Sequence, residues 1–356
     1  MNDSTVLMDV RSLRTYLRLR TRVLRAVDGA TFSIRHGEAL GLVGESGSGK
    51  SMICQSIMRI EPRPAAAIEG GEVVFEGEDL LQKDLSQMRH IRGCRIGMIF
   101  QDPMNSLNPV LTIGNQLIES LRMSHPRESH AMLRERAWGA LDRVGIRDAK
   151  HRLDAYPFEF SGGMRQRVSA AIAISRRPKL LIADEPTTAL DVTTQARFLR
   201  LLDELRRADN MSLLLVTHDL GIVAATCDRV AVMYAGRIVE MASARQILAS
   251  PRHPYTQSLL QAVPHLQGPR KRRLFHIPGE PPDASSRAAG CRFAPRCNFA
   301  SEICRTKYPP SLRYSNGDTV ACWLHVPKND MKDDASTDSL LAGSLEPASD
   351  SHLPDR

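Results

Sequence analysis

The chain has 356 residues, a formal net charge of +8, 42% hydrophobic residues and seven cysteines. That suffices for a packed core and, at about 100–200 residues per domain, for two domains. With no apolar run of the roughly 18 residues a bilayer requires and a polar start at Met1 to Ser4, neither a membrane span nor a secretion signal is expected, so the cysteines point to reduced thiols or a metal site rather than a disulfide framework.

Residues 5 to 36 alternate apolar and polar side chains around turn signals at Val27-Asp28-Gly29 and Arg35-His36-Gly37, which predicts a small antiparallel sheet. Arg18, Arg20, Arg22 and Arg25 fall close together there. Without interleaved aromatic rings they read as a solvated strand face rather than a nucleic-acid or membrane-surface platform. Ala39 to Val43 reads as a short buried strand, and Met52 to Ile60 carries apolar residues at helical spacing. Between them lies Gly44-Glu45-Ser46-Gly47-Ser48-Gly49-Lys50-Ser51, which satisfies each position of the G-x-x-x-x-G-K-[ST] phosphate loop. Its glycines let successive N–H groups curl around an anion, and the positive end of the following helix adds to the attraction. In that pattern Lys50 reaches the β- and γ-phosphates and the Ser51 hydroxyl ligates Mg²⁺. A bare glycine-rich turn is the alternative, and both flanks argue against it.

Glu61-Pro62-Arg63-Pro64 then breaks the pattern. A strand is expected at 71–75, a polar helix over 85–90 and a strand over 95–100 that ends on Gln101. From about 112 to 145 the period becomes helical, with Met132, Leu133, Ala137, Ala140, Leu141 and Val144 on one face. Further on come a helix over 163–177, an apolar strand over 179–184, a helix over 193–208 and a second apolar strand over 212–217, with edge strands expected at 230–234 and 237–240. Strands alternating with helices imply an α/β fold whose parallel sheet is covered on both faces. Beyond about Pro254, Pro, Arg and Cys become common and mark a small second module. From about Pro327 the tail has few large apolar side chains and is expected to be disordered. Asp184-Glu185-Pro186 places two acids at the carboxyl end of a buried strand, where open parallel sheets bind ligands. Asp184 is placed there to hold Mg²⁺ through water and Glu185 to polarise an attacking water; an acidic surface turn is the bland alternative.

Phe160-Ser161-Gly162-Gly163-Met164-Arg165-Gln166-Arg167 resembles the signature motif of ATP-binding cassette (ABC) ATPases. Ser161, Gly162 and Gly163 open a helix and present a hydroxyl and free N–H groups to a phosphate. The resemblance implies a P-loop NTPase with a RecA-like core, an antiparallel β subdomain and an α-helical subdomain. It also implies that the signature, Gln166 included, meets ATP held by a second cassette, so that nucleotide is sandwiched between two chains. By the same resemblance Gln101 is the residue that senses γ-phosphate and metal, ahead of the segment Asp102 to Pro109. Asp191 lies in the loop crossing the dimer interface, and His218 is the switch histidine that orients water and Glu185. By the same resemblance Tyr16 takes the place of the adenine-stacking ring, with a plain surface tyrosine as the equal alternative, and relatives often carry Phe at the position of Leu17. Phe158 and Phe160 depart from the His and Leu common before this signature.

The phosphate loop, the segment Met98 to Pro109 and His253-Pro-Tyr-Thr-Gln-Ser-Leu-Leu260 are similar to the oligopeptide and dipeptide permease branch. The match runs over about residues 5 to 326. It implies a cassette over 1–255 with its helical subdomain at about 102–178, a C-terminal extension over 256–326 and the tail 327–356. Cys291, Cys297, Cys304 and Cys322 match the four-cysteine extension of these ATPases. Their gaps of five, six and seventeen residues differ from the C-x₂₋₄-C pairs of zinc sites. Four thiolates equally hold an iron–sulfur cluster, so the residues themselves leave zinc, a cluster or four buried thiols open; the resemblance implies [4Fe–4S]. Cys54, Cys94 and Cys227 read as small hydrophobes. The implied protein binds ATP and Mg²⁺ on the cytoplasmic face of a bacterial inner membrane. Its implied partners are two permease subunits, a second cassette that is commonly a paralogue, and indirectly a solute-binding protein outside. Nickel, glutathione or another small solute are alternative cargoes. An export ATPase, or a cassette acting on ribosomes or DNA, is opposed by the single set of motifs, the absence of fused spans and a helical segment too short for a long coiled coil; no nucleic-acid partner is expected.

Overall fold

A computed structural model describes residues 6–102, 106–188, 190–263, 275–286 and 289–327. The tail from 328 onward, residues 103–105 of the segment after Gln101 and Ala189 ahead of Asp191 lie outside the described residues, so the expected disorder of the tail has no structural counterpart here.

Two sheets organise the chain. The smaller is antiparallel, β2–β1–β4–β5, built from β1 (Val6–Arg18), β2 (Val23–Arg35), β4 (Ala66–Phe75) and β5 (Glu78–Asp79). Its first hairpin turns at residues 19–22, where Leu19 N–H donates to Arg22 O at 2.9 Å. The turn expected at Val27-Asp28-Gly29 is instead interior to β2. Gly29, at φ +90°, supplies a backbone irregularity that a strand tolerates without breaking.

The larger sheet runs β11–β12–β10–β9–β3–β8–β7–β6. Its strands are β3 (Ala39–Val43), β6 (Ile96–Ile99), β7 (Leu180–Asp184), β8 (Ser212–Thr217), β9 (Arg229–Tyr234), β10 (Arg237–Ser243), β11 (Leu312–Arg313) and β12 (Thr319–Val320). β6, β7, β8, β3 and β9 are mutually parallel, and β10 returns antiparallel to β9. Thus 230–234 is not an edge strand. It pairs in parallel with β3 because nearly all its side chains are buried, as a strand covered on both faces requires. Alternate residues go to opposite cores: Leu40, Leu42, Ile182, Leu214 and Val216 pack under the small sheet, whereas Val43, Leu181, Ala183, Leu213 and Leu215 pack against helices.

α1 (Lys50–Met58) follows β3 directly, and α2 (Leu85–Cys94) opens on a capping box made by Asp84 and Gln87. The 112–145 stretch is two helices, α3 (Ile113–Arg122) and α4 (His130–Arg143), the second capped by Ser129. Leu133, Ala137, Ala140 and Leu141 of α4 and Val144 after it are buried as expected. Met132 sits one residue off that stripe and is exposed. After α5 (Ala149–Arg152) come α6 (Gly162–Ile174), α7 (Val192–Ala208), α8 (Leu220–Thr226), α9 (Ala244–Ala249), α10 (Pro254–Gln261) and α11 (Glu302–Thr306). Among the described residues no helix is long and apolar enough to cross a membrane.

The C-terminal segment joins the large sheet: β12 pairs with β10 through Glu240↔Val320 and Met241↔Thr319, and Phe293 packs on Tyr234 and Tyr255 at 5.3 and 5.4 Å between ring centres. His253 caps α10 by accepting the Tyr255 N–H at 3.0 Å. Burial, with His325 nearby, lowers its pKa to about 3 from the ordinary 6.5. A base whose folded value is depressed binds fewer protons folded than unfolded between pH 3 and 6.5, so stability is lost as pH falls through that window, by up to about 1.4 kcal/mol per unit. Denaturant titrations at pH 7.5 and 5 should show this loss, and His253→Asn, which can still cap the helix, should flatten it.

Candidate functional site

The loop from Gly44 to Gly49 fits only glycine at its two ends. A Cβ on Gly44 would lie 2.2 Å from Met233 O, and one on Gly49, at φ +106°, would lie 2.1 Å from Ala26 O. The neighbouring strands β9 and β2 thus press the loop against the start of α1. Ser46 and Gly47 form its exposed tip, and Ser48 is buried with no partner for its hydroxyl among the described residues. Lys50 is 4% exposed and donates to Gly44 O at 2.8 Å and Glu45 O at 3.0 Å. Burial lowers its pKa, opposed by the charges of Glu185 and Asp184.

β7 delivers the acids. Asp184 Oδ1 accepts the Ser51 hydroxyl at 3.0 Å, and burial raises the pKa of the Asp184 carboxyl against that hydrogen bond. These two oxygens, adjacent and hard, fit Mg²⁺. Glu185 takes φ +43°, a left-handed backbone rare for a residue with a side chain, and its N–H donates to Val216 O of β8 at 2.9 Å. The kink turns its carboxylate to three neighbours. Gln101 Nε2 donates to Oε2 at 3.1 Å, Thr188 Oγ1 donates to Oε2 at 3.2 Å, and His218 Nδ1 stands 3.5 Å from Oε1. Gln101 at the end of β6, Glu185 at the end of β7 and His218 at the end of β8 meet because three neighbouring parallel strands stop at one level.

Ser161, Gly162 and Gly163 are elsewhere. Ser161 caps α6 by accepting the Met164 N–H at 3.4 Å, and a Cβ on Gly163 would lie 2.8 Å from Thr194. With Arg147, Arg152, Arg167 and Asp191 they line an open cleft of about 720 Å³. Asp191 caps α7, and the Thr194 N–H bond holds its carboxyl below the usual range. Gln166 faces inward and is almost wholly buried. The cleft displays phosphate-binding groups without sharing residues with the loop of the same chain.

Tyr16 donates its hydroxyl to Asp28 at 2.6 Å, and the Arg25 guanidinium lies 5.5 Å from its ring centre. Arg25 itself lines a small cavity with Ser46, Gly47, Ser48, Pro281 and Pro282. Cys291, Cys297, Cys304 and Cys322 all line one cavity of about 20 Å³ beside His253 and Trp323. Burial raises the pKa of Cys291 and Cys297 and takes that of Cys322 up to about 12, while backbone N–H groups, that of Phe299 toward Cys297 at 3.4 Å among them, are aimed at the sulfurs. The donor set suits a thiolate-bound group, but among the described residues no three ligands are placed to hold a metal ion. The four sulfurs close on a space little larger than a water.

Sequence reasoning missed Thr188, whose position three residues after Glu185 is the available signal. It also missed Arg292 and Arg296, next to Cys291 and Cys297 in sequence, of which Arg296 reaches back to the loop and Arg292 to its surroundings. Arg296 donates to Glu45, and Arg292 donates to Asp28 and to Ala235 O.

The chain is similar to known proteins. The family model for ABC transporters matches residues 27–188, and that for the oligopeptide/dipeptide transporter C-terminal region matches 239–304. The chain is 49% identical over 318 residues to a probable peptide ABC transporter ATP-binding protein of Sinorhizobium fredii, covering 89% of this chain and 95% of that one. It is 45% identical over 323 residues to the oligopeptide transport ATP-binding protein OppD of Bacillus subtilis, covering 91% and 90%. Among solved structures, the ATP-binding cassette MJ0796, a dimer in a post-hydrolysis state bound to ADP and phosphate, superposes with a TM-score of 0.60 at 26% identity, over 67% of this chain and 99% of that one. The cassette cbiO1 of Clostridium perfringens, part of the complex cbiONQ, does so with 0.58 at 27%, over 69% and 92%.

Proposed function

The chain belongs to the ABC transporter family, in the branch that carries the oligopeptide/dipeptide C-terminal region, and from this premise we propose that it is the ATP-hydrolysing subunit that energises import of peptides. One observation carries the chemistry: Gln101, Thr188 and His218 converge on the Glu185 carboxylate beside the phosphate loop and the Ser51–Asp184 pair. Lys50 trades its two loop carbonyls for β- and γ-phosphate oxygens, and Ser51 and Asp184 would hold Mg²⁺. The metal, when bound, neutralises charge on those oxygens. Glu185 accepts the proton of a water whose oxygen attacks the γ-phosphorus while the bond to the leaving ADP breaks. Gln101 and His218 fix Glu185 and the water between them.

The signature cleft, separate from the loop of its own chain, supports a head-to-tail pairing in which Ser161 to Gly163 and Asp191 complete the site of a second cassette. That partner is an identical chain or a paralogue. Two permease subunits receive the closure, with the cassette peripheral on the cytoplasmic face and a solute-binding protein delivering cargo on the far side. Loss of labelled-peptide uptake on deleting the gene, and co-purification of a permease from membranes, test this. Intact peptide uptake, or recovery with ribosomes or DNA instead, overturns it.

The four cysteines are proposed to hold a [4Fe–4S] cluster, supported by their convergence and by the N–H groups aimed at their sulfurs. Its expected role is that of a staple for the extension. Anaerobically purified chain should be brown, with iron and sulfide near four per chain. Folded, colourless, iron-free protein sinks the cluster.

A further inference from the structure

The second residue of the phosphate loop is an acid, in a loop whose ligand is a polyanion. At close range a carboxylate there opposes phosphate binding unless it is neutralised and held. Arg296, on the turn between Phe293 and Cys297, does both. Its Nη1 donates to Glu45 Oε2 at 2.8 Å and its Nη2 to Oε1 at 3.0 Å, a two-pronged pair in which the Arg296 side chain is only 5% exposed. The guanidinium is itself anchored, Nε donating to Pro278 O at 3.0 Å and Nη1 to the Tyr234 hydroxyl at 3.3 Å. From the other side the Glu45 N–H donates to the Tyr255 hydroxyl at 2.9 Å. The bond to Glu45 is the main reason the guanidinium holds its proton even more firmly than usual.

We propose that Arg296 is a positioning residue for ATP binding, by which the C-terminal extension neutralises Glu45 and keeps its carboxylate from repelling the triphosphate. The inference rests on the reading of Gly44–Ser51 as an ATP site. It differs from a purely structural role in one respect: removing the acid should cure the loss of the arginine.

Equilibrium binding of Mg-ATP to the full chain tests it, with melting temperature as the folding control. Arg296→Met should weaken binding about tenfold, the change a loss of 1.4 kcal/mol produces. Adding Glu45→Gln to that variant should restore binding to within about twofold of the unmodified chain, and Arg296→Lys should fall between. In the assembled transporter the Arg296→Met effect should appear in the KM for ATP rather than in kcat. A double variant as weak as Arg296→Met, or Arg296→Met binding like the unmodified chain, overturns the proposal. Should Arg296→Met not fold, Glu45→Gln alone decides: binding as tight as or tighter than the unmodified chain supports it, and a tenfold loss overturns it. An unmodified chain that binds no ATP overturns the nucleotide reading instead, and the inference with it.

Discussion

Glu185→Gln should cut ATP hydrolysis at least about a hundredfold while leaving ATP bound, the lower end of what a positioned general base contributes. The substitution keeps shape and polarity. A glutamine oxygen still accepts from Gln101 and Thr188, now at 3.1 and 3.2 Å from the carboxylate, so the fold of the strand end is preserved. What disappears is the ability to take a proton. The left-handed backbone at φ +43° is retained in either residue, and the strain it stores continues to aim the side chain at His218. Since phosphate contacts through Lys50 are untouched, nucleotide should accumulate unhydrolysed between two cassettes. Size-exclusion chromatography with Mg-ATP should show a stable dimer of cassettes for the variant and not for the unmodified chain. Hydrolysis within twofold of normal in the assembled transporter would remove Glu185 from the role.

Local pattern made the candidate site legible. The phosphate loop and strand-end acids lie in runs of residues within a few positions of one another, a glycine-rich loop closed by Lys50 and an acid pair at the end of an apolar strand, although the backbones that force Gly44 and Gly49 belong to the distant Met233 and Ala26. Longer-range facts were hidden. That Arg229–Tyr234 inserts beside β3 depends on pairing across almost two hundred residues, and an apolar strand reads alike whether central or marginal. Gly29 looks like a turn because a φ near +90° serves a bulge and a turn equally well. The extension shows the same limit. Its cysteines were visible, yet its tie to the loop is made by Arg296, whose partner Glu45 lies 251 residues away. Composition marked a new module; side-chain geometry shows that it reaches Glu45 of the phosphate loop.

Lys50→Ala should act at an earlier step than Glu185→Gln, weakening ATP binding and with it abolishing closure and uptake together. The ammonium is nearly inaccessible, held by Gly44 O and Glu45 O, and its ordinary proton affinity is reduced by burial while Asp184 and Glu185 pull it back. It is a cation that faces these acids at the loop. Without it, the triphosphate would lose two charge-assisted hydrogen bonds worth about 1.5–3 kcal/mol each, and Asp184 and Glu185 would lose a neighbouring cation. The sum corresponds to a loss of affinity of about a hundredfold or more. The two variants therefore separate the two halves of the cycle. Glu185→Gln should bind ATP and dimerise without turnover, whereas Lys50→Ala should remain monomeric at ATP concentrations that dimerise Glu185→Gln. Uptake that survives Lys50→Ala would mean that this cassette is not the engine, and that its partner's site alone drives transport.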